Sequence, residues 1–418
     1  MLIGLKQLLL TQTAKDSGIL FIGSILATLF GFLLVVILTR NLSTNEFGLI
    51  ITALVFTQLI ADVSEFGINT STLNFVSSAA KKIRDKYISV TFILRVLISI
   101  IVSAALYFFA NHISKLFFNT SNMTSFIQIS SIGILLFMII SWGQGVFQAE
   151  RRFVVSAIAG GSINFLRTIV VVLLITLGIF NVTSIFLSIQ LVLLIIVPFV
   201  LFNIGVNFFK GNVKSIDFKK VITFGLPVGF SFTLAAIYTK LDQILIFNLA
   251  GSEQAGVYGL AFRTASFLIL ISASLNSAFA PRFASLHPSD FPNYFNKTMY
   301  ASLGLGFISL LGIPLSQLFF PLIFGEKFNA AIIPFQILLL GMVSFIIYSP
   351  FYSAIIYKFK KTKFPFLTSI LSLTLVYYLL NLLIPLYQSI GAAVAVSAVY
   401  IIQMFLSIGY FIYLKREK

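Results

Sequence analysis

The uncharged run SGILFIGSILATLFGFLLVVIL, from Ser17 to Leu38, decides the class of fold. An α-helix needs about 20 predominantly apolar residues to cross the hydrocarbon core of a bilayer, and this run meets that length. It is too long for the apolar core of a signal peptide, and no small-x-small cleavage motif accompanies it. We therefore expect a retained transmembrane helix.

The composition of the whole chain points the same way. Of its 418 residues 59% are hydrophobic and 10% are charged, whereas a soluble domain has about 45–50% apolar and about 25% charged residues. The mean hydropathy of +1.04 excludes a soluble globular fold. The chain has no cysteine and two distant histidines, His112 and His287. This excludes a disulfide framework, thiolate metal sites and a cysteine nucleophile.

Eleven further apolar runs of spanning length follow the first, so we predict twelve membrane-spanning helices in an all-α fold. They begin near Ser17, Phe47, Tyr87, Phe126, Phe153, Thr183, Val221, Ala255, Phe295, Phe328, Lys363 and Ile390. The longest hydrophilic stretch between them, 209–220, has about a dozen residues. We therefore expect no extramembrane domain, and whatever the chain does takes place within the bilayer.

The basic residues give the orientation of these helices. Of the 28 Lys and Arg, 21 fall in predicted loops on one side of the membrane, 3 in the opposite loops and 4 inside spans. Cytoplasmic loops carry the excess of Lys and Arg, so both termini are expected in the cytoplasm. The net charge of +16 is then a feature of topology and of attraction to anionic lipids, not of nucleic-acid binding.

A repeat divides the chain into halves. Asn41–Gly48 follows the first span and Asn248–Gly256 follows the seventh, with the same spacing from Asn-Leu to Glu at an offset of 207 residues. Because six spans separate the two turns, the halves enter the membrane in the same direction. We predict two pseudo-symmetric six-helix bundles, 1–208 and 221–418, joined by a cytoplasmic loop at 209–220.

Acidic and polar side chains recur at helical spacing in the second span. Gln58, Asp62, Glu65, Asn69 and Thr72 are separated by 4, 3, 4 and 3 residues, which predicts one polar stripe on a long helix from Phe47 to about Ala80. A charge facing lipid costs at least about 2.5–3.5 kcal/mol. The stripe is therefore either a cavity wall that holds a coupling cation or a structural interhelical pair. Gly67 would allow this helix to bend.

Four basic side chains lie inside predicted spans: Arg95, Arg167, Lys240 and Arg263. An arginine in a low-dielectric cavity suits phosphate, because its planar fork donates two parallel hydrogen bonds. Arg167 is too deep to snorkel easily, whereas Arg95 and Arg263 could reach the interface and Lys240 could pair with Asp242. The candidates for hydrogen bonds to sugar hydroxyls, which could equally join helices, are Gln144, Gln148, Asn164 and Asn276.

Several motifs resemble one known family. They are the turn Asn41–Gly48, the segments Asp62–Asn69 and Lys240–Gln243, and the beginning and end of the eighth span, Ala255–Tyr258 and Pro281–Phe283. In order and spacing they resemble the Wzx-type polysaccharide transporters, the lipid-linked oligosaccharide flippases of the multidrug/oligosaccharidyl-lipid/polysaccharide (MOP) exporter superfamily. The resemblance implies a MATE-like, V-shaped pair of bundles in a bacterial cytoplasmic membrane, with a cationic cavity for an undecaprenyl-diphosphate-linked glycan.

The function expected from this resemblance is flipping of an O-antigen, capsule or exopolysaccharide repeat unit to the outer leaflet by alternating access. Related lipid II flippases usually carry two extra helices. No catalysis and no cofactor are expected; H⁺ or Na⁺ is the candidate coupling ion, with Asp62, Glu65 and Asp242 as candidate ligands. Expected partners are the lipid-linked cargo, membrane lipids and other polysaccharide assembly proteins, and we expect a monomer. The alternatives are a cation-coupled multidrug antiporter and a membrane-embedded glycosyltransferase or polymerase.

Overall fold

The computed structural model describes residues 12–179, 181–205, 208, 215–269, 283, 287, 289–361 and 363–416. Within these ranges all regular secondary structure is helical, which confirms the all-α prediction. In lipid a helix satisfies every backbone hydrogen bond within its own segment, so apolar runs of this length fold as helices. The helices are α1 Gln12–Asn41, α2 Thr44–Val63, α3 Ile68–Ser77, α4 Lys81–Phe108, α5 Ala110–Phe118, α6 Thr124–Ala149, α7 Phe153–Thr176, α8 Val182–Leu191, α9 Leu193–Ile204, α10 Ser215–Ala265, α11 Phe291–Leu310, α12 Gly312–Phe324, the 3₁₀ helix η1 Glu326–Ala331, α13 Ile332–Tyr357 and α14 Lys363–Arg416.

The number of spans agrees with the sequence. In the described part of the chain nine helices are long and apolar enough to cross a membrane, and ten with the pair α11 and α12, which bends by 46°. Two of these are broken by non-helical backbone, α10 at Gly251 (φ 83°, ψ 177°) and α14 at Gln388 (φ 52°, ψ −128°). Counting the parts of α10 and α14 on either side of these breaks as separate spans brings the described part of the chain to the predicted twelve.

The chain forms two compact units. Unit 1 comprises the described residues up to Leu38 and those of Ala53–Ile237, and unit 2 comprises Thr39–Thr52 and the described residues from Tyr238 onward. Helices α2 and α10 therefore contribute residues to both units. The six-helix bundles 1–208 and 221–418 stay a prediction, and the first half of their predicted joint, 209–214, lies outside the described residues.

The core of unit 1 is built around α6. Ile140, Trp142 and Phe147 of this helix are fully buried, and Ile140 and Phe147 pack in one cluster with Ala159 of α7 and Leu193 of α9. The Trp142 indole donates a hydrogen bond of 3.0 Å to the Thr91 hydroxyl of α4. Helix α6 thus packs against α7 and α9 and is hydrogen-bonded to α4.

The prediction of one long second helix is wrong. Helix α2 ends at Val63 and α3 begins at Ile68, with Phe66 (φ 48°) and Gly67 (φ 74°) in the left-handed region between them. A Cβ atom at Gly67 would lie 1.9 Å from the Gly225 carbonyl oxygen of α10, so only glycine allows this backbone contact. The chain breaks at this point, and the predicted polar stripe does not follow one continuous helix.

In unit 2 the two repeated turns lie against each other. Ser43 and Glu46 form a reciprocal capping box at the start of α2, with bonds of 2.8 and 3.3 Å. The backbone then approaches α10 so closely that a Cβ atom at Gly48 would lie 1.7 Å from the Ser252 carbonyl oxygen, and one at Gly256 would lie 2.3 Å from the Thr44 carbonyl oxygen. Small residues permit this contact, as at helix interfaces in membranes generally.

Candidate functional site

Unit 1 brings together one basic and two acidic side chains. Arg95 of α4 is 1% exposed, and its Nε donates a 2.9 Å hydrogen bond to the Met138 carbonyl of α6. Its charged neighbours are Glu65 and Asp62. Among the described residues its Nη1 has no hydrogen-bond partner. Arg95 therefore does not snorkel to the interface but lies inside unit 1, where two carboxylates offset its charge.

The two carboxylates are themselves held by neighbours. Asp62 accepts a 2.8 Å hydrogen bond from the Gln58 amide, one turn before it. Glu65 lies in the break between α2 and α3 and accepts the backbone N–H groups of Gly67 and Asn69 at 2.9 and 2.5 Å. These donors would otherwise be unsatisfied at the start of α3. Glu65 thus caps a helix, a role that the uniform spacing did not indicate.

Arg167 and Asn164 lie on the same helix, α7, but bond to different neighbours. Arg167 is partly buried, and its Nε donates to the Ile189 carbonyl of α8 at 3.1 Å. The Asn164 amide donates to the Ala27 carbonyl of α1 at 2.9 Å. Both side chains therefore join helices within unit 1, and their predicted roles toward cargo stay predictions.

The predicted sugar contacts on α6 also join helices. The amide nitrogens of Gln144 and Gln148 donate to Ser156 of α7, to its carbonyl at 3.5 Å and to its hydroxyl at 3.2 Å respectively. Gly160 makes room for the first of these, since a Cβ atom there would lie 2.3 Å from the Gln144 amide nitrogen. In this arrangement the two amides join α6 to α7, which is the alternative to sugar binding considered from the sequence. Asn276 lies outside the described residues.

Unit 2 contains a buried carboxylate, Asp242 of α10, which is 5% exposed. It accepts a short hydrogen bond from the Tyr258 hydroxyl and a 2.8 Å bond from the Gln243 backbone N–H. Lys240 lies two residues before it on α10, and the pairing of Lys240 with Asp242 considered from the sequence stays a prediction. The Gln243 amide in turn donates to the Thr52 hydroxyl at 2.9 Å and so fixes this segment of α10 to α2.

Five tyrosines form a group that includes the hydrogen-bond donor to Asp242, Tyr258, and they were not singled out from the sequence. We call them the tyrosine cluster: Tyr238, Tyr258, Tyr348, Tyr352 and Tyr400. They come from α10, α13 and α14, on both sides of the α10 break. The spacing of Tyr238 to Asp242 and of Tyr348 to Tyr352, four residues in each case, places each pair on one helix face. That local signal does not reveal which helices meet, so the cluster could not be predicted.

Arg263 of α10 differs from the other basic candidates. It is partly buried and lies twelve residues beyond the break at Gly251, or about 18 Å along the helix. Within the part of the chain that the structure describes, its guanidinium has neither a hydrogen bond nor a carboxylate partner. It is thus a cation at membrane depth whose charge the described residues leave uncompensated.

Within the described residues, helices long and apolar enough to cross a membrane, with charged side chains buried among them, define a polytopic membrane protein. Two solved structures share its fold. "Lipid II flippase MurJ, inward closed conformation" superposes with a TM-score of 0.76 at 16% identity, over 94% of this chain and 87% of that one. "Inward-facing conformation of a multidrug resistance MATE family transporter of the MOP superfamily" superposes with a TM-score of 0.69 at 13% identity, over 93% and 96%.

The chain belongs to the family described as "Polysaccharide biosynthesis protein", whose profile matches residues 13–287. A relative, "Capsular polysaccharide biosynthesis protein CapF" of Staphylococcus aureus, is 24% identical over 417 residues, which are 96% of this chain and 99% of the relative. These findings confirm the resemblance to the Wzx-type transporters of the MOP superfamily and the MATE-like fold.

Proposed function

We propose that this protein flips an undecaprenyl-diphosphate-linked oligosaccharide from the cytoplasmic to the outer leaflet of a bacterial cytoplasmic membrane. It does so by alternating access, and both termini lie in the cytoplasm. Membership of a polysaccharide biosynthesis family supports a glycan cargo, and the CapF relative favours a capsule-type repeat unit over O-antigen or exopolysaccharide. The fold shared with a lipid II flippase supports a lipid-linked form of that cargo.

The observation that carries the proposal is the guanidinium of Arg263, for which the described part of the chain provides no counter-charge. A cation at membrane depth is stabilised only by a counter-charge or by water. A diphosphate supplies two adjacent anionic groups, and an arginine fork binds one of them through two parallel hydrogen bonds. Arg263 in turn offsets the desolvation of the diphosphate, which otherwise prevents the head group from crossing the bilayer.

The other basic candidates take secondary roles in this proposal. Arg95 has Glu65 and Asp62 as charged neighbours, and Lys240 lies two residues before Asp242. Arg167 has its Nε committed to a helix carbonyl. These groups add positive potential around the cargo path, whereas Arg263 binds the diphosphate. We therefore expect transport to be most sensitive to substitution of Arg263.

The transport step makes and breaks no covalent bond, so the protein is not an enzyme and needs no cofactor. An inside-negative membrane potential favours outward passage of an anionic cargo, and coupling to H⁺ or Na⁺ adds to this drive. Of the three candidate ligands for that ion, Asp242 comes first because its side chain is buried, whereas Asp62 and Glu65 are partly exposed. The partners are the cargo lipid, bilayer lipids and other polysaccharide assembly proteins, and the transporter works as a monomer.

Depletion of the protein from its host tests this function directly. We expect a lipid-linked glycan to accumulate in the inner leaflet, where mild acid releases the sugar and mass spectrometry identifies it. Re-expression of the wild type should clear this pool, and re-expression of Arg263→Ala should not. If no lipid-linked glycan accumulates, the proposal is wrong.

A second candidate function is a cation-coupled multidrug antiporter. The buried Asp242, ringed by aromatic side chains, favours it, because organic cations bind carboxylates and aromatic faces. The uncompensated Arg263 argues against it, since a cationic drug would be repelled. Efflux of ethidium from cells that express the protein distinguishes the two: the flippase proposal predicts none above background.

A further inference from the structure

The tyrosine cluster is an ordered group of side chains. Tyr258 donates its hydroxyl hydrogen to Asp242. Tyr348 donates at 2.8 Å to Gln403, whose amide donates at 2.6 Å to Ser372. The rings of Tyr348 and Tyr352 pack at 6.0 Å between centroids and 67°. Tyr400 packs against Phe345 at 5.7 Å and 70°. Each of these rings is therefore held in place by packing or hydrogen bonds before any ligand arrives.

The cluster is buried on one side and accessible on the other. Tyr258, Tyr348 and Asp242 are buried, whereas Tyr238, Tyr352 and Tyr400 are partly exposed. The accessible side does not suit lipid, because hydrocarbon offers no hydrogen-bond partner to the phenol hydroxyls of Tyr238 and Tyr400. It suits a polar ligand that presents apolar surface to the rings.

The chemistry of the cluster matches a sugar ring. The face of an aromatic ring is electronegative and attracts the weakly positive C–H groups of a pyranose. Phenol hydroxyls donate and accept hydrogen bonds, and a carboxylate accepts them, so both can pair with sugar hydroxyls. The same cluster does not suit a diphosphate, which the Asp242 charge would repel. Unit 2 therefore offers two chemically different surfaces, the cation Arg263 and the tyrosine cluster.

We infer that the tyrosine cluster around Asp242 is the carbohydrate-binding surface of this transporter and takes a pyranose ring of the cargo's glycan. The inference rests on the proposed flippase function, and it moves sugar recognition from the amides of α6 to the tyrosines of α10, α13 and α14. Any sugar with an apolar ring face can stack on Tyr238 and Tyr400. Hydrogen bonds to the hydroxyls select among sugars.

Binding to the purified full-length protein tests the inference with two probes. One is the lipid-linked glycan extracted from membranes of depleted host cells, and the other is undecaprenyl diphosphate without sugar. The variants are Tyr238→Leu/Tyr400→Leu, which removes two rings, and Tyr238→Phe/Tyr400→Phe, which keeps them. Tyr377→Leu, at a tyrosine of α14 that is 54% exposed, is the matched control.

We expect the wild type and the Tyr377→Leu control to bind the glycan-bearing lipid more tightly than undecaprenyl diphosphate. The double Leu variant should lose roughly tenfold in affinity for the glycan-bearing lipid only. The double Phe variant should retain most of the wild-type preference. If the double Leu variant keeps the full preference, or loses affinity for both lipids equally, the cluster is not the sugar site. If the wild type binds neither lipid, the proposed function itself is wrong.

Discussion

The Ser252 hydroxyl donates a hydrogen bond to the Asn45 side-chain oxygen, and the two residues are 207 positions apart. This separation equals the offset that relates the two repeated turns, so Asn45 and Ser252 are equivalent positions of the repeat and touch each other. The neighbouring glycines, Gly48 and Gly256, meet in the same way. The two repeated turns therefore meet through equivalent positions.

The contact can be locked by a disulfide, because the native chain has no cysteine. The Asn45 and Ser252 side chains touch, so cysteines at both positions should form a disulfide on mild oxidation. Alternating access requires the predicted outer turns to separate, so we expect the oxidised double variant to lose transport and a reductant to restore it. The two single-cysteine variants are the controls. Full transport by a completely cross-linked protein would show that this contact never opens.

The glycine contact makes a prediction about stability. Gly48→Ala places a methyl group on the Ser252 carbonyl and should lower the free energy of unfolding by about 1–3 kcal/mol. Gly304→Ala on α11 is the control, since nothing lies within 4 Å of its Cβ position, and it should be neutral or slightly stabilising. Thermal unfolding in detergent compares the two. Equal melting temperatures would mean that the close approach is not required.

The effects of substituting Arg95, Asp62 and Glu65 in unit 1 should depend on one another. Arg95→Met removes the cation near Asp62 and Glu65 and the hydrogen bond to the Met138 carbonyl, and should destabilise the protein by about 1–3 kcal/mol. Adding Asp62→Asn should recover part of that loss, because it removes one of the stranded charges. Glu65→Gln should cost less, since an amide oxygen still caps α3. Additive losses in the Arg95 and Asp62 double variant would show that the two groups do not interact.

The predicted number of spans determines on which side of the membrane a fused reporter lies. Reporters fused after Lys220, Lys363 and Lys418 should read cytoplasmic, and those after Asn181 and Gln388 should read external. Gln388 lies at the break in α14, where the predicted topology places an outer turn between two spans. An odd number of spans in either half would reverse this pattern and contradict the parallel repeat.

Hydropathy and helix length predicted the fold class, because lipid leaves the backbone no alternative to helix in long apolar runs. The sequence predicted a bend at Gly67 but not the end of a helix there, because the close approach of Gly225 lies far away in the sequence. Tertiary contacts were also needed to show that Gln144 and Gln148 join helices, because an amide bonds equally well to a sugar or to Ser156. The tyrosine cluster required knowledge of which helices meet around Asp242.

Flipping by purified protein in proteoliposomes tests the central claim most directly. The measurement follows arrival of the lipid-linked glycan in the opposite leaflet, read as accessibility to a membrane-impermeant sugar-specific reagent, for the wild type, Arg263→Ala and Arg263→Lys. We predict transport by the wild type, none by Arg263→Ala, and partial transport by Arg263→Lys, which restores the charge but not the fork. Wild-type rates in a correctly folded Arg263→Ala protein would contradict the account.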